Sequence, residues 1–278
     1  GNIEFDHADI YPDLDAIRLA FRRFVNLVPR SGLLVLGADS ADALDLRTGA
    51  HAPVETFGLG EADWRAYDVT TEADAMRFRV QYRRESLGAF DVALAGTHNV
   101  KNALAAMAVA HRVGVDVETL RCGLREFPGV RRRLELVGTA GGVSVYDDFA
   151  HHPTAVRETL TAVRHARPES RIWAVFEPRS ASSCRRVFQD SFAASFDAAD
   201  EIIIAGVYRA SLPPEERLSP EALVSALGMR GKRARYVRDV DGIVATVAGE
   251  RREGDVVVAM SNGGFGGIHQ KLLEALGR

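Results

Sequence analysis

Tyr146-Asp147-Asp148-Phe149-Ala150-His151-His152-Pro153 joins an apolar run carrying Val143 and Val145 to a helical segment that starts at Pro153. Proline at the first helical position needs no backbone N–H there, so the turn is sharply set. Two carboxylates and two imidazoles therefore fall where a parallel strand hands over to a helix, the place where open α/β sheets bind ligands. An acidic loop with a helix-capping residue is the plainer reading of the same letters. Four titratable groups in six positions favour a site.

Working outward from that corner, the pattern repeats. Strand 143–147 leads to helix 153–166, 172–176 to 183–196, 202–205 to 219–227, 234–237 to 239–248, and 255–260 to 267–276. Such alternation predicts a doubly wound, mostly parallel, Rossmann-like sheet with its chemistry at the strand carboxyl ends. Those ends carry Asp147 to His152, Glu177-Pro178-Arg179-Ser180, Tyr208-Arg209, and the glycine-rich Ser261-Asn262-Gly263-Gly264-Phe265-Gly266-Gly267.

The first half reads differently, and Pro128-Gly129 marks the boundary, giving domains 1–130 and 131–278. Leu14, Ile17, Phe21, Phe24, Val25 and Val28 have helical spacing, and Leu33 to Leu36 is short enough for a buried strand. Val54 to Phe57, the alternating Met76 to Tyr82, and Leu87 to Leu94 predict a small antiparallel flap in or beside a partial mononucleotide-binding α/β domain. A helix opens at Gly96-Thr97-His98-Asn99, with Val100, Ala103, Leu104, Met107 and Ala110 on its apolar face and Gly114 at its end. A second runs from about Val117 to Glu126.

Across 278 residues, 46% are apolar and 26% charged, a balance that supports a real core. A net charge of −3 gives no global field for nucleic acid or an anionic membrane. No apolar stretch approaches membrane-spanning length. Cys122 and Cys184 lie far apart without metal-type spacing, which fits a reducing cytoplasm. Cys184 shares an apolar face with Val187, Phe188 and Phe192 and reads as a packed thiol, while His51, His111 and His165 read as surface residues. Opening on Gly1 with a strand-end pattern, the sequence reads as cut from something longer.

Individual candidates carry two readings each. Asn99 and Asn102, three apart in a first helical turn, suit a ring with adjacent donor and acceptor such as adenine, although Asn99 also suits a helix cap. His7, between Asp6 and Asp9, is a metal-ligand candidate or a solvated loop histidine. One arginine of Arg131-Arg132-Arg133 could fork a phosphate. The glycine-rich turn could aim backbone N–H groups at an oxyanion, or serve only as a tight turn. His269, just after it, is left open.

Taken in order, Asn2-Ile3-Glu4-Phe5-Asp6-His7, Gly96-Thr97-His98-Asn99-Val100-Lys101-Asn102, Gly129-Val130-Arg131-Arg132-Arg133, Asp147 to Pro153, and Phe176-Glu177-Pro178-Arg179-Ser180 resemble the Mur ligase family of ATP-dependent amide ligases. The likeness is strongest to its tripeptide-adding branch, which joins UDP-N-acetylmuramate to L-alanyl-γ-D-glutamyl-meso-diaminopimelate in peptidoglycan recycling. The L-alanine-adding branch typically has Gln-Pro-His-Arg where this chain has Glu177 to Ser180. The resemblance implies the later part of a central ATP-binding domain followed by the C-terminal domain, without the UDP-binding N-terminal domain or the phosphate loop. It also implies an acyl-phosphate route with ATP and Mg2+ as cofactors, and a fragment inactive alone.

Residue by residue, the resemblance gives His7 to magnesium and Asn99 and Asn102 to adenine. Arg131 stands for the 131–133 run at the nucleotide, and Asp147 or Asp148 goes to the ribose. It places His151 and His152 at the reacting groups, and Arg179, Ser180, Asn262 and Gly263 at the murein tripeptide. Two other classes compete. A nicotinamide oxidoreductase would need a glycine fingerprint where Asp147-Asp148 stands. A non-catalytic nucleotide or peptide binder needs no phosphate loop.

Overall fold

The computed structural model describes residues 1–72, 74–208 and 212–278. Arg209, expected at a strand end, lies outside the described residues. The chain divides into two compact units, Gly1–Gly129 and Val130–Arg278.

In the first unit, Asp13 caps α1 (Leu14–Val25) by accepting from the Ala16 amide at 2.8 Å. Ile17 and Val25 are buried with Ile3, Leu36 and Leu46, whereas Phe21 and Phe24, expected on the same face, are exposed. β1 (Leu34–Gly37), α2 (Ala41–Asp45) and β2 (Val54–Gly58) form a parallel unit. β3 (Trp64–Glu72), β4 (Ala75–Tyr82) and β5 (Glu85–Val92) continue the same sheet in the order β1-β2-β3-β4-β5. The flap is therefore an extension of the parallel part, with β3 parallel to β2 and antiparallel to β4.

β3 escapes a pattern search because its alternation breaks at a register shift between Tyr67 and Thr70, where Asp68 has φ 51°. α3 (Thr97–Arg112) and α4 (Val117–Glu126) cover the sheet. Val100, Leu104 and Met107 pack against Trp64, Phe78 and Phe90, and each such side chain contributes about 1.5–3 kcal/mol on burial. His111, expected at the surface, is half-buried, its ring 5.3 Å from Trp64 and 5.2 Å from Tyr82.

In the second unit β6 (Glu135–Ala140) and β7 (Val143–Asp148) form a hairpin. There follow α5 (Pro153–Ala166), β8 (Ile172–Phe176), α6 (Gln189–Ala193), β9 (Glu201–Ile204), α7 (Pro220–Met229), β10 (Arg233–Tyr236), α8 (Val240–Glu250), β11 (Val256–Met260) and α9 (Ile268–Leu276). The strand order is β10-β9-β8-β11-β7-β6, parallel except for β6. Every residue of β8, β9 and β11 is buried, as a sheet covered on both faces requires.

The helix expected over 183–196 is instead a 3-10 turn at Arg186–Phe188 followed by the short α6. Backbone pairing takes residues 184–186 away from helix: Leu218 N donates to Cys184 O and Arg186 N to Glu216 O. Cys184 is buried, but Val187, assigned to the same face, is 61% exposed. Among the described residues no helix is long and apolar enough to cross a membrane.

Register sets the site. Met260 of β11 aligns with Asp148 of β7 and with Phe176 of β8, and Phe176 aligns with Ile204 of β9. The segments that follow these strands therefore leave the sheet side by side.

Candidate functional site

Consecutive strand residues face opposite ways, and that separates the two aspartates at the end of β7. Asp148 turns inward. Its carboxylate accepts from Leu134 N at 2.7 Å, Ala150 N at 2.8 Å and Thr159 Oγ1 at 3.2 Å. Burial pushes its carboxyl above the ordinary value despite these bonds. Asp148, expected at the ribose, thus braces the corner instead.

Asp147 lies on the other side. Its Oδ2 accepts from Arg132 Nε at 3.1 Å, and its Oδ1 is 3.3 Å from His269 Nε2, close enough to pair but without hydrogen-bond alignment. Burial would raise the Asp147 carboxyl, but His269 and Arg132 outweigh it and hold the group below its ordinary value.

Arg132 ties the site together. Its Nη2 donates to Ser261 O at 2.7 Å and Gly263 O at 2.6 Å, and its guanidinium lies 5.0 Å from the Phe149 ring centroid. Arg131 is the arginine the sequence reading selected, yet its side chain is 92% exposed and reaches Glu135 only at 3.9 Å. The difference of one position follows from the backbone: Arg132 and Leu134 have φ of 60° and 50°, which turns the run so that Arg132 points inward.

Beyond β8, Glu177 is buried and accepts from Ser261 Oγ at 2.5 Å, joining the ends of β8 and β11. Arg179 lies with its guanidinium 3.6 Å from the Tyr208 ring centroid and 3.7 Å from Glu177. It also crosses Gly263, where an added Cβ would stand 2.0 Å from Arg179 Nε. Ser180, expected at the substrate, is buried, and its hydroxyl is 2.8 Å from that of Ser183. Asn262 is half-buried, with an Oδ1 that has no hydrogen-bond partner.

The two histidines of the corner differ. His151 Nδ1 is 2.9 Å from Phe149 O; a carbonyl only accepts, so Nδ1 carries a proton, and in the neutral imidazole Nε2 presents the lone pair. His152 caps α5, Nδ1 accepting from Thr154 N at 3.4 Å, with its ring 5.6 Å from Phe188. Asp147 Oδ1, His269 Nε2 and Asn262 Oδ1 are all buried without a hydrogen bond. The first two face each other at 3.3 Å, and Asn262 Oδ1 is left as the acceptor without a partner.

In the first unit, Gly96 with φ 97° is the cap residue of α3, so Asn99 stands inside the helix and is free of the capping role. Its Nδ2 donates to Ala95 O at 2.8 Å, and Asn102 Nδ2 donates to Asn99 Oδ1 at 3.3 Å. The chained amides leave N–H groups and the Asn102 carbonyl for a ligand edge. His7 has φ 50°, is exposed, and sits 3.9 Å from Asp6. Among the described residues no group of three or more His, Cys, Asp or Glu is placed to hold a metal.

Two family models match in sequence order: the Mur ligase middle domain over residues 1–110, and the Mur ligase glutamate ligase domain over residues 132–263. The chain belongs to the Mur ligase family. Among curated Mur ligases it is 38% identical over 98% of its length to the UDP-N-acetylmuramate–L-alanine ligase of Caldanaerobacter subterraneus subsp. tengcongensis. It is 39% identical over its full length to the UDP-N-acetylmuramate–L-alanyl-gamma-D-glutamyl-meso-2,6-diaminoheptandioate ligase of Escherichia coli. The chain spans 59% of the length of each. A solved Mur ligase, the murein peptide ligase of Psychrobacter arcticus, shares 33% identity and a TM-score of 0.69, with 96% of this chain and 56% of that one covered.

Proposed function

We propose that this chain is the part of an ATP-dependent amide ligase that binds nucleotide and amine substrate, and that the amine is a peptide bearing several carboxylates, L-alanyl-γ-D-glutamyl-meso-diaminopimelate. The acceptor of this reading is UDP-N-acetylmuramate. The observation that carries it is Arg179. A guanidinium stretched across Gly263 and against Tyr208, at a strand end, with Asn262 Oδ1 unpaired nearby in sequence, suits a substrate with both carboxylates and an ammonium group.

The residues present fit a nucleotide in part. Asn99 and Asn102 supply donor and acceptor atoms for an adenine edge. ATP, when bound, supplies the phosphoryl group that activates the acceptor carboxylate. His151, whose Nε2 has a lone pair in the neutral imidazole, would take a proton from the substrate ammonium, which frees the amine to attack. Arg132 fixes the turn that carries Asn262 and Gly263, so that substrate groups meet a rigid rim. His7 and Asp6 do not by themselves assemble a magnesium site.

A second reading, L-alanine as the amine, is favoured by the naming of the Caldanaerobacter relative. Phosphate release separates the two. A longer polypeptide carrying this chain, given ATP and UDP-N-acetylmuramate, is expected to release phosphate when the tripeptide is added. Release with L-alanine and none with tripeptide overturns the first reading; release that ignores the amine overturns both.

A further inference from the structure

The hairpin that joins β4 to β5 turns through two residues, Arg83 and Arg84, with φ of 45° and 73°. Two-residue turns of this hand need positive φ at both central positions, which Asn-Gly or Gly-Gly adopts at least cost. The hairpin from β6 to β7 uses Gly141-Gly142 at 55° and 74°. Arginines in that conformation are an outlier, and outliers of this kind gather at ligand clamps. The turn is pinned by Arg83 N donating to Asp63 O at 2.8 Å.

Arg83 and Arg84 line a cavity of about 880 Å³ in the first unit together with Arg47 and Arg65. Among the described residues Arg47, Arg65 and Arg84 have no carboxylate partner, and Arg83 shares Glu55 with Trp64 and Tyr82. Two carboxylates also line the cavity, Glu61 and Asp63, and Asp63 is committed to Thr56 through its amide and hydroxyl. Four guanidinium groups against Glu61, Asp63 and the Glu55 that pairs with Arg83 leave an excess of one positive charge in a concave surface.

We propose that this cavity binds a diphosphate, as free pyrophosphate or as the diphosphate of a nucleotide. Guanidinium forks match phosphate oxygens in bidentate fashion, and a diphosphate carries enough charge to offset the excess. Neither the corner at Asp147 nor Asn99 and Asn102 takes part, so the site stands independently of the ligase reading.

Calorimetry at low ionic strength, with pyrophosphate and separately ADP titrated into the 278-residue chain, tests this. Saturable pyrophosphate binding is expected. R83N/R84G restores favoured turn residues, so it is expected to raise Tm while weakening that binding roughly tenfold or more, since each lost guanidinium removes a charge-assisted contact. R47Q/R65Q is expected to weaken it as well, whereas R23Q, a charge control on α1, leaves it unchanged. ADP binding that weakens in parallel in R83N/R84G names the nucleotide as a source; loss confined to pyrophosphate names the free anion. Absence of saturable pyrophosphate binding, unchanged affinity in R83N/R84G, or an equal loss in R23Q overturns the proposal.

Discussion

The two ends of the second unit's parallel sheet solve the problem of buried charge in different ways. At the amino end, Arg171 forks Asp255 at 3.0 and 2.5 Å, and Asp255 also accepts from Trp173 Nε1 at 3.0 Å and Arg252 N at 2.9 Å. Buried Glu201 faces Arg233 at 3.1 Å and Arg235 at 3.3 Å. One Glu201 oxygen lacks hydrogen-bond alignment, yet its nearest neighbours are permanent cations. At the carboxyl end, Asp147 Oδ1 meets a histidine that is charged only when protonated, and Asn262 Oδ1 has no hydrogen-bond partner. One end is held by permanent cations; the other leans on a titratable partner and an amide oxygen without a hydrogen bond. The first should govern stability and the second binding.

Asp255→Ala is the hardest test of that division. It takes the forked partner from half-buried Arg171 and the acceptor from buried Trp173 Nε1, so the unit should lose about 3–5 kcal/mol in urea unfolding. A loss under about 1 kcal/mol would show that the amino end is not the stabilising one.

Arg132→Ala should rank next. It leaves the Ser261 and Gly263 carbonyls without their shared donor and frees Asp147, which costs roughly 1–3 kcal/mol and also loosens the substrate turn. Calorimetry should show weaker tripeptide binding; full affinity with reduced stability would make Arg132 a purely structural residue.

Asp147→Asn should lower neutral-pH stability, because it removes the carboxylate that His269 and Arg132 hold charged, and should lower ADP affinity, measured by titration, by about tenfold, the value of one charge-assisted bond. It should also alter the acid limb of stability. The Asp147 carboxyl is held below its ordinary value of 3.8, so its stabilisation is present above that value and lost as pH falls through the depressed one. Asp148 is raised, so the fold favours its protonated form and its contribution falls as pH rises through the raised value. Urea midpoints followed from pH 6 downward should lose the lower component in Asp147→Asn and keep the upper. An unchanged lower limb would remove Asp147 from the account.

The smallest effect belongs to Arg131→Ala, within about 0.5 kcal/mol of wild type because the side chain is solvated. If its loss weakens ADP binding more than that of Arg132 does, the roles given to the two arginines are reversed.

The corner at Asp147 to Pro153 was legible because its information is local: a strand, a turn set by proline, and a helix. So was the alternation that builds the parallel sheet. Register along the arginine run was not, since positive φ at Arg132 and Leu134 is fixed by Asp148 and Glu135, which accept from the Leu134 and Arg132 amides. His269 and Glu177 reach the site through contacts with residues far away in sequence, which no spacing rule encodes. Asn99 was readable as a cap until the structure gave that position to Gly96.

The sheet's two outermost strands carry a consequence for life at high concentration. β10 is four residues long and bears Arg233 and Arg235, while β6 is broken by a bulge between Leu136 and Gly138. Short, charged or kinked rims offer a poor template to a neighbour's backbone, so stacking of copies into fibrils is discouraged at both borders.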